Sequence, residues 1–502
     1  MRALFAMVTV CATVAACSSG PRNDVDASNT LTIDYGGDEY LLGPGWDDLP
    51  KFLVFLPLAR WDNACRTGEH VGLAERWEFS PDRRQLTIHL RRDVRWHDSV
   101  PVTARDVEFN VNLWRHPDLE WYGAWGVDSV RVIDEYTVTM FRDEPGTVEL
   151  LDWDVYYPRH LLENLEPAEF FTWDFWTHPI GNGPYRYVHH DPETHIEFEA
   201  NPDYYEGEPA IKRVILTLAN VPGLVRLRSG ETDWGEADPL GAAPFIEDED
   251  FNVYFAGGGA PVRIIWNVTH PLFRERSIRQ ALTLAIDRRA VARALGLPDD
   301  SPISDGTYSS CQFERREIPA AWPYDTTAAR EILSDAGWRD TDGDGVLDRD
   351  GQAFRFLTIV SPRRERAGIV VQGQLAQIGI KMDVQMLEYS ATAQRFAAGD
   401  FAAIIPRLPQ LDFKLCGLET PAPSGYRNAW AHGLAVRISE SPLGDERDRL
   451  YRELADVFYE ELPGTYLYPR LRAVVVRSWL RGLDERMYGF PRVERLWIEH
   501  EP

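Results

Sequence analysis

The feature that most constrains the fold is a helix–glycine–strand unit in the second half of the chain. Over 369–378 apolar side chains recur at helical spacing, and Gly379 follows where a helix C-terminal cap belongs. Residues 380–386 then alternate as a strand, with Ile380, Met382, Val384 and Met386 on one face. Residues 327–336 followed by Gly337 repeat the helical half of that unit. Helix then strand through a short turn is the αβ step of a layered mixed fold. Strand alternation also runs through 31–35 and 85–91, and 130–133 with 136–141 reads as a hairpin split by Asp134-Glu135. Thr103-Ala104-Arg105-Asp106 predicts an N-cap and acidic first turn for a helix carrying Val107, Val111 and Trp114 on one face. Residues 277–295 keep a helical period through Ile278, Leu282, Ala285, Ile286, Val291 and Leu295 and predict one long helix; 447–459 predict another. A length of 502 residues admits two to four domains of about 100–200 residues each.

Charge narrows the partners. The chain has 53 basic and 79 acidic side chains, a net charge of −26, and only four of its basic residues are lysines. Phosphate backbones would repel such a chain, so nucleic acid is not an expected partner. The patterns H-E-x-x-H, G-x-S-x-G and G-x-x-x-x-G-K-S/T do not occur, and Gly181-Asn182-Gly183 runs into Pro184 without the third glycine of a dinucleotide fingerprint. No enzymatic activity is expected.

The first residues supply an address. Arg2 precedes an apolar run over 4–16, shorter than the ~20 residues that span a bilayer, and small residues close it. This is the layout of an export signal, assigned to 1–16. Val14-Ala15-Ala16-Cys17 resembles the bacterial lipobox, which implies cleavage before Cys17 and lipid on that cysteine. Residues 17–30 then form a polar tether. The expected location is the outer face of the bacterial cytoplasmic membrane or the periplasm, with the chain held by its lipid.

Ordered phrases along the body carry a family resemblance. Leu73-Ala74-Glu75-Arg76-Trp77-Glu78, Leu86-Thr87-Ile88-His89-Leu90-Arg91, Val94-Arg95-Trp96-His97-Asp98 and Pro101-Val102-Thr103-Ala104-Arg105-Asp106-Val107 come first. Gly181-Asn182-Gly183-Pro184-Tyr185, Asn201-Pro202-Asp203-Tyr204-Tyr205 and Ser229-Gly230-Glu231-Thr232-Asp233 follow. Arg279-Gln280-Ala281-Leu282, Ala285-Ile286-Asp287-Arg288, Gln377-Ile378-Gly379-Ile380 and Glu461-Leu462-Pro463 complete the series. Together they resemble the ABC-importer solute-binding proteins of the oligopeptide and dipeptide type, family 5.

The resemblance implies an α/β, two-lobed periplasmic-binding-protein-like fold with a hinge. Its discontinuous first lobe would use 31–59, 180–263 and the return 470–502, with an inserted subdomain over 60–179; the second lobe would run over 264–469. It implies a monomeric receptor that captures a small solute, a peptide above others, and delivers it to an ABC permease with its ATPase. A non-transport sensor or a lipoprotein hydrolase on the same fold is the competing reading. Cys65, Cys311 and Cys416 remain after export, and three thiols cannot all pair within one chain. A Cys311–Cys416 bridge, both lying in the implied second lobe, competes with buried free thiols.

Three sets of side chains are candidates for ligands. Where many family members hold a peptide's α-amino group with a loop aspartate, this chain keeps Asp412-Phe413 and loses the rest of the phrase. Asp412 would take an ammonium, Phe413 would stack, and Arg407 in the same loop would receive a carboxylate bidentately. The aromatic clusters at 121–125 and 170–176 read chiefly as core. In Asp340-Thr341-Asp342-Gly343-Asp344-Gly345-Val346-Leu347-Asp348 the residues Asp340, Asp342, Asp344, Val346 and Asp348 occupy calcium-loop positions, although Gly351 stands where the bidentate glutamate belongs. No cofactor is required by this reading; a structural calcium clip and a solvated acidic loop both fit. His189, His190 and His195 flank Asp191-Pro192 at metal-atypical spacing and read as a hairpin tip.

Overall fold

The computed structural model describes residues 29–35, 48–61, 70–119, 126–143, 145, 151, 155–218, 223–257, 261–299, 301, 303, 321–406, 422–441, 445–483 and 492–499. Two large sheets organise them. The first has seven strands in the order Phe251–Gly257, Leu471–Arg477, Trp234–Ala237, Thr30–Asp34, Arg213–Thr217, His195–Ala200 and Tyr185–Asp191. Its three central strands, Trp234–Ala237, Thr30–Asp34 and Arg213–Thr217, run parallel. The second has five strands in the order Lys381–Met386, Arg355–Val360, Ala403–Ile405, Val262–Trp266 and Gly464–Tyr468, the first three parallel.

The chain passes between the sheets twice, from Phe251–Gly257 to Val262–Trp266 and from Gly464–Tyr468 to Leu471–Arg477. The two strands at the first-sheet end of these crossings are hydrogen-bonded neighbours, as are the two at the other end. Phe251–Gly257 and Leu471–Arg477 pair antiparallel along their whole length.

Burial explains the sequence patterns. The Val262–Trp266 strand is buried at every position: Ile264 and Trp266 join a core with Leu282, Val371 and Leu375, while Ile265 joins Ile404, Leu434, Leu454 and Phe458 on the other face. A strand covered on both faces reads as a near-continuous apolar run, here interrupted only by the buried Arg263. Gln85–Leu90 alternates instead, since Leu86, Ile88 and Leu90 are buried while Gln85 is exposed. It belongs to a four-stranded antiparallel sheet with Ala74–Phe79, Thr137–Phe141 and Ser129–Asp134, packed on the helix Ala104–Trp114. That helix has the anticipated cap: the Thr103 N–H donates to the Asp106 carboxylate at 2.8 Å, the reciprocal half of a capping box. The apolar residues of this unit and of the seven-stranded sheet merge in one core, so the two cannot separate without exposing Trp96, Trp114 and Phe198.

One expectation fails. Residues 277–295 form two helices, Arg276–Leu284 and Arg288–Ala294. Asp287 breaks them: its side chain accepts the Ala290 N–H at 2.9 Å, an N-cap that restarts the helix in a new direction. Periodicity survives because both helices bury residues in the same core, which includes Ile278, Leu282, Ala285, Ile286 and Val291. Gly337 and Gly379 do occupy the left-handed conformation of helix caps, at φ +86° and +82°. The aromatic cluster at 170–176 packs internally: Phe170, Trp173 and Trp176 are buried with ring centroids 5.0–5.3 Å from the Phe170 ring, and Phe171 is the exposed exception. Among the described residues no helix is long and apolar enough to cross a membrane.

Candidate functional site

Parallel strands end at a common edge, and in open α/β sheets ligands bind beyond the carboxyl ends of such strands. Here those edges face each other. Ala237, Leu471 and Gly257 mark the edge of the first sheet; Val360, Ile405, Val262 and Tyr468 mark that of the second.

Charged side chains crowd both edges. Glu236, one residue from the end of its strand, pairs with Arg472 at 3.0 Å and also feels the charge of Arg363 from the other sheet. Protein crowding raises the Glu236 pKa, with Arg472 opposing, yet 38 % of its side chain remains accessible. This is the signature of a group on a cleft wall. Arg363 and Arg364 sit in the Pro362–Arg364 turn directly after Arg355–Val360. Arg363 is exposed and acts on Glu236 through its charge alone; the Arg364 Nη1 donates to the Tyr468 hydroxyl at 3.2 Å. Beside them the buried Arg263 donates to the Tyr466 hydroxyl at 3.1 Å and lies over its ring. Asp34 closes the first sheet's edge in a half-buried pair with Arg226 at 3.2 Å, whose guanidinium also donates to Thr217 at 2.9 Å. Burial raises the Asp34 pKa and Arg226 works against it.

Several of the recognisable sequence phrases hold this frame rather than touch the edge. His97 is partly buried between Gly181 and Gly183: its Nδ1 accepts the Gly181 N–H at 3.2 Å, and its Nε2 lies 3.1 Å from the Gly183 carbonyl. The pattern requires neutral imidazole protonated on Nε2. Burial pushes its pKa down to about 4. The glycines are required because a Cβ at 181 would lie 1.8 Å from the Val54 carbonyl oxygen, and at 183 it would lie 2.6 Å from that of Leu53. Arg279 is 4 % exposed and donates to the carbonyls of Phe273, Arg274, Glu461 and Leu462 at 2.6–3.2 Å, which ties two distant phrases together.

Arg407, Asp412 and Phe413 lie outside the described residues, as do Cys17, Cys65, Cys311, Cys416 and the cluster at 121–125. Glu236, Arg363, Arg364 and Arg472 escaped the sequence reading; the signal available was Pro362-Arg363-Arg364 directly following an alternating strand. In the acidic loop, carboxylate oxygens of Asp340, Asp342 and Asp348 come within 4.8 Å of one another, with Asp344 outside that group; Val346 could add only its backbone oxygen. Asp340 also accepts the Gly343 and Gly345 N–H groups at 2.8 and 3.0 Å, so the loop curls around it. The donor set is all oxygen, which suits a hard cation. A separate surface groove of about 530 Å³ lies between Arg105–Leu113 positions and 159–167 in the inserted unit; its arginines already pair with Glu108 and Glu163.

Comparison with known proteins decides the family. The family described as bacterial extracellular solute-binding proteins, family 5 Middle, matches residues 70–410. The chain belongs to family 5. Among its family 5 relatives, the oligopeptide-binding protein AppA of Bacillus subtilis is 27 % identical over 340 residues, 61 % of this chain and 59 % of AppA. The match thus spans about three fifths of that relative's length. The structure of AppA in complex with a nonapeptide superposes with a TM-score of 0.70 at 23 % identity, covering 93 % of this chain and 98 % of AppA. NikA from Brucella suis in complex with Fe(III)-EDTA gives 0.78 at 19 % identity, covering 93 % and 99 %. The two-lobed α/β fold is therefore the family's fold.

Proposed function

We propose that this chain captures a peptide with free charged ends between its two sheets and delivers it to an ABC permease, without chemistry on the ligand. The observation that carries this reading is the meeting of unlike charges across the cleft: accessible Glu236 from the first sheet, and Arg363 with Arg364 from the second. A zwitterion laid between the lobes satisfies both walls only when they close, which makes ligand binding a population shift toward the closed form. The peptide named for AppA agrees with this ligand class. Arg407, Asp412 and Phe413 follow Pro406 at the carboxyl end of Ala403–Ile405, which supports giving them to the ligand as well. Lipid on Cys17 holds the monomeric receptor at the membrane surface in this reading, and calcium in the Asp340–Asp348 loop acts as a structural clip.

The test is mass spectrometry of solute retained by gently purified protein, followed by calorimetric titration with a peptide library. A stoichiometric peptide with sub-micromolar Kd is expected. A chain that retains nothing, and whose melting temperature no peptide raises, overturns the proposal.

A further inference from the structure

The histidines at the tip of the Tyr185–Asp191/His195–Ala200 hairpin are placed by register, which the sequence does not reveal. This hairpin is the outer edge of the seven-stranded sheet. Between Tyr187 and His189 the register shifts, and beyond the shift His189 faces Glu197, while Asp191 faces His195. Residues opposite one another, and those two apart on a strand, share a face. His189, Asp191, His195 and Glu197 are therefore together on one side. His190 faces Ile196 and belongs to the other side.

The two imidazoles meet diagonally, with ring centroids 6.2 Å apart and planes at 66°. A metal ion bound by imidazole nitrogen at about 2.0–2.1 Å holds two ring centroids roughly 5–6.5 Å apart. The observed separation lies at the wide end of that range, where the two nitrogens would approach an ion from nearly opposite sides. His189 is exposed and makes no hydrogen bond among the described residues, and His195 uses Nδ1 toward the Thr194 hydroxyl at 2.8 Å, which leaves Nε2 for a ligand. The surrounding field is negative. Asp191 shares the face, and backbone N–H donation, from Glu193 first, holds its pKa below the usual range. Glu197 is already taken by Arg213 at 2.6 Å and serves to fix the strand pair.

We propose that His189 and His195 form a two-imidazole surface site for a divalent transition metal, with Asp191 supplying charge beside it and water completing the coordination. Nitrogen donors favour Ni²⁺, Cu²⁺ and Zn²⁺ over Ca²⁺ or Mg²⁺, and Cu²⁺ most strongly. The site lies at the outer end of the first sheet's cleft-side edge, where His195 is the register partner of Thr217, and it is chemically unlike the all-oxygen acidic loop.

Cu²⁺ titrated into the full chain, in the presence of millimolar Ca²⁺ to occupy oxygen sites, tests it by electron paramagnetic resonance and calorimetry. One equivalent with nitrogen hyperfine structure from two imidazoles is expected. His189→Ala and His195→Ala should each weaken that equivalent at least tenfold, while His190→Ala changes it less than twofold. All three positions lie at the hairpin tip, and the melting temperature of each variant checks that the fold is kept. Retention of the signal in the double variant His189→Ala/His195→Ala, an equal loss in His190→Ala, or millimolar binding without a defined nitrogen signature overturns the proposal.

Discussion

His97 and Glu236 show what burial does to a titratable side chain in one molecule. His97 is held on both sides, its two ring nitrogens meeting backbone groups of the Gly181–Gly183 turn. Glu236 stands at a strand end, accessible to water and opposed by arginines from its own sheet and from the other. Both have shifted pKa values, and in both desolvation is the largest cause. The difference lies in what can replace the partner. The His97 clamp is closed by backbone groups of its own chain on both ring nitrogens, so its energy goes into the fold. The Glu236–Arg363 edge is open to water, so under the proposed function its protein partners can be exchanged for a solute and its energy goes into binding.

The comparison breaks first at His97. Because its folded pKa is depressed to about 4 from an ordinary value near 6.5, the unfolded chain binds the extra proton between those values. Its contribution is complete above pH 6.5, falls as pH drops, and is gone below pH 4. The linkage amounts to about 3 kcal/mol. Denaturant titrations of the chain and of His97→Gln between pH 7 and 4 should show the pH slope shrinking in the variant. An unchanged slope would remove His97 from the frame.

Next in size is Arg363→Glu, which should weaken peptide binding by about 10–100-fold, some 1.4–2.7 kcal/mol, with the melting temperature nearly unchanged. A large fall in melting temperature would instead make Arg363 part of the frame. Calcium offers a third contrast. At tenfold excess over its Kd it should stabilise the chain by about 1.4 kcal/mol, read as a rise of ~2 °C. Asp342→Ala with Asp344→Ala should abolish that rise, and an equal calcium response in the variant would end the clip. The smallest effect is the coupling of Arg363 with Glu236 in the free chain. A double-mutant cycle should give under about 1 kcal/mol, because the pair is accessible to solvent. The coupling in peptide affinity should exceed it.

The frame was legible because its clamps are made of side chains that few others replace. Trp96-His97-Asp98 and Gly181-Asn182-Gly183 stand out as phrases because an imidazole must fit between glycines. Arg279 stands out because its guanidinium satisfies four carbonyls from two segments. The cleft was less legible. Glu236, Arg363 and Arg472 meet through crossover connections, and no local period marks a strand-end charge as facing another sheet. The break at Asp287 was hidden for a related reason: two helices packing into one core imitate the period of a single one. The histidine pair depends on a one-residue register shift, invisible until the strands are aligned.

The twin crossings from Gly257 toward Val262 and from Tyr468 to Leu471 have a mechanical meaning. Two straps whose flanking strands are hydrogen-bonded neighbours at both ends act as a flexure. Such an element bends easily about the line across both straps and resists twisting, because a twist would stretch one strap against the other. The lobes are thereby left with essentially one soft coordinate, like the covers of a book. Under the proposed function, a permease docked on both covers would have only an opening angle to measure, whatever sequence of peptide lay between the pages.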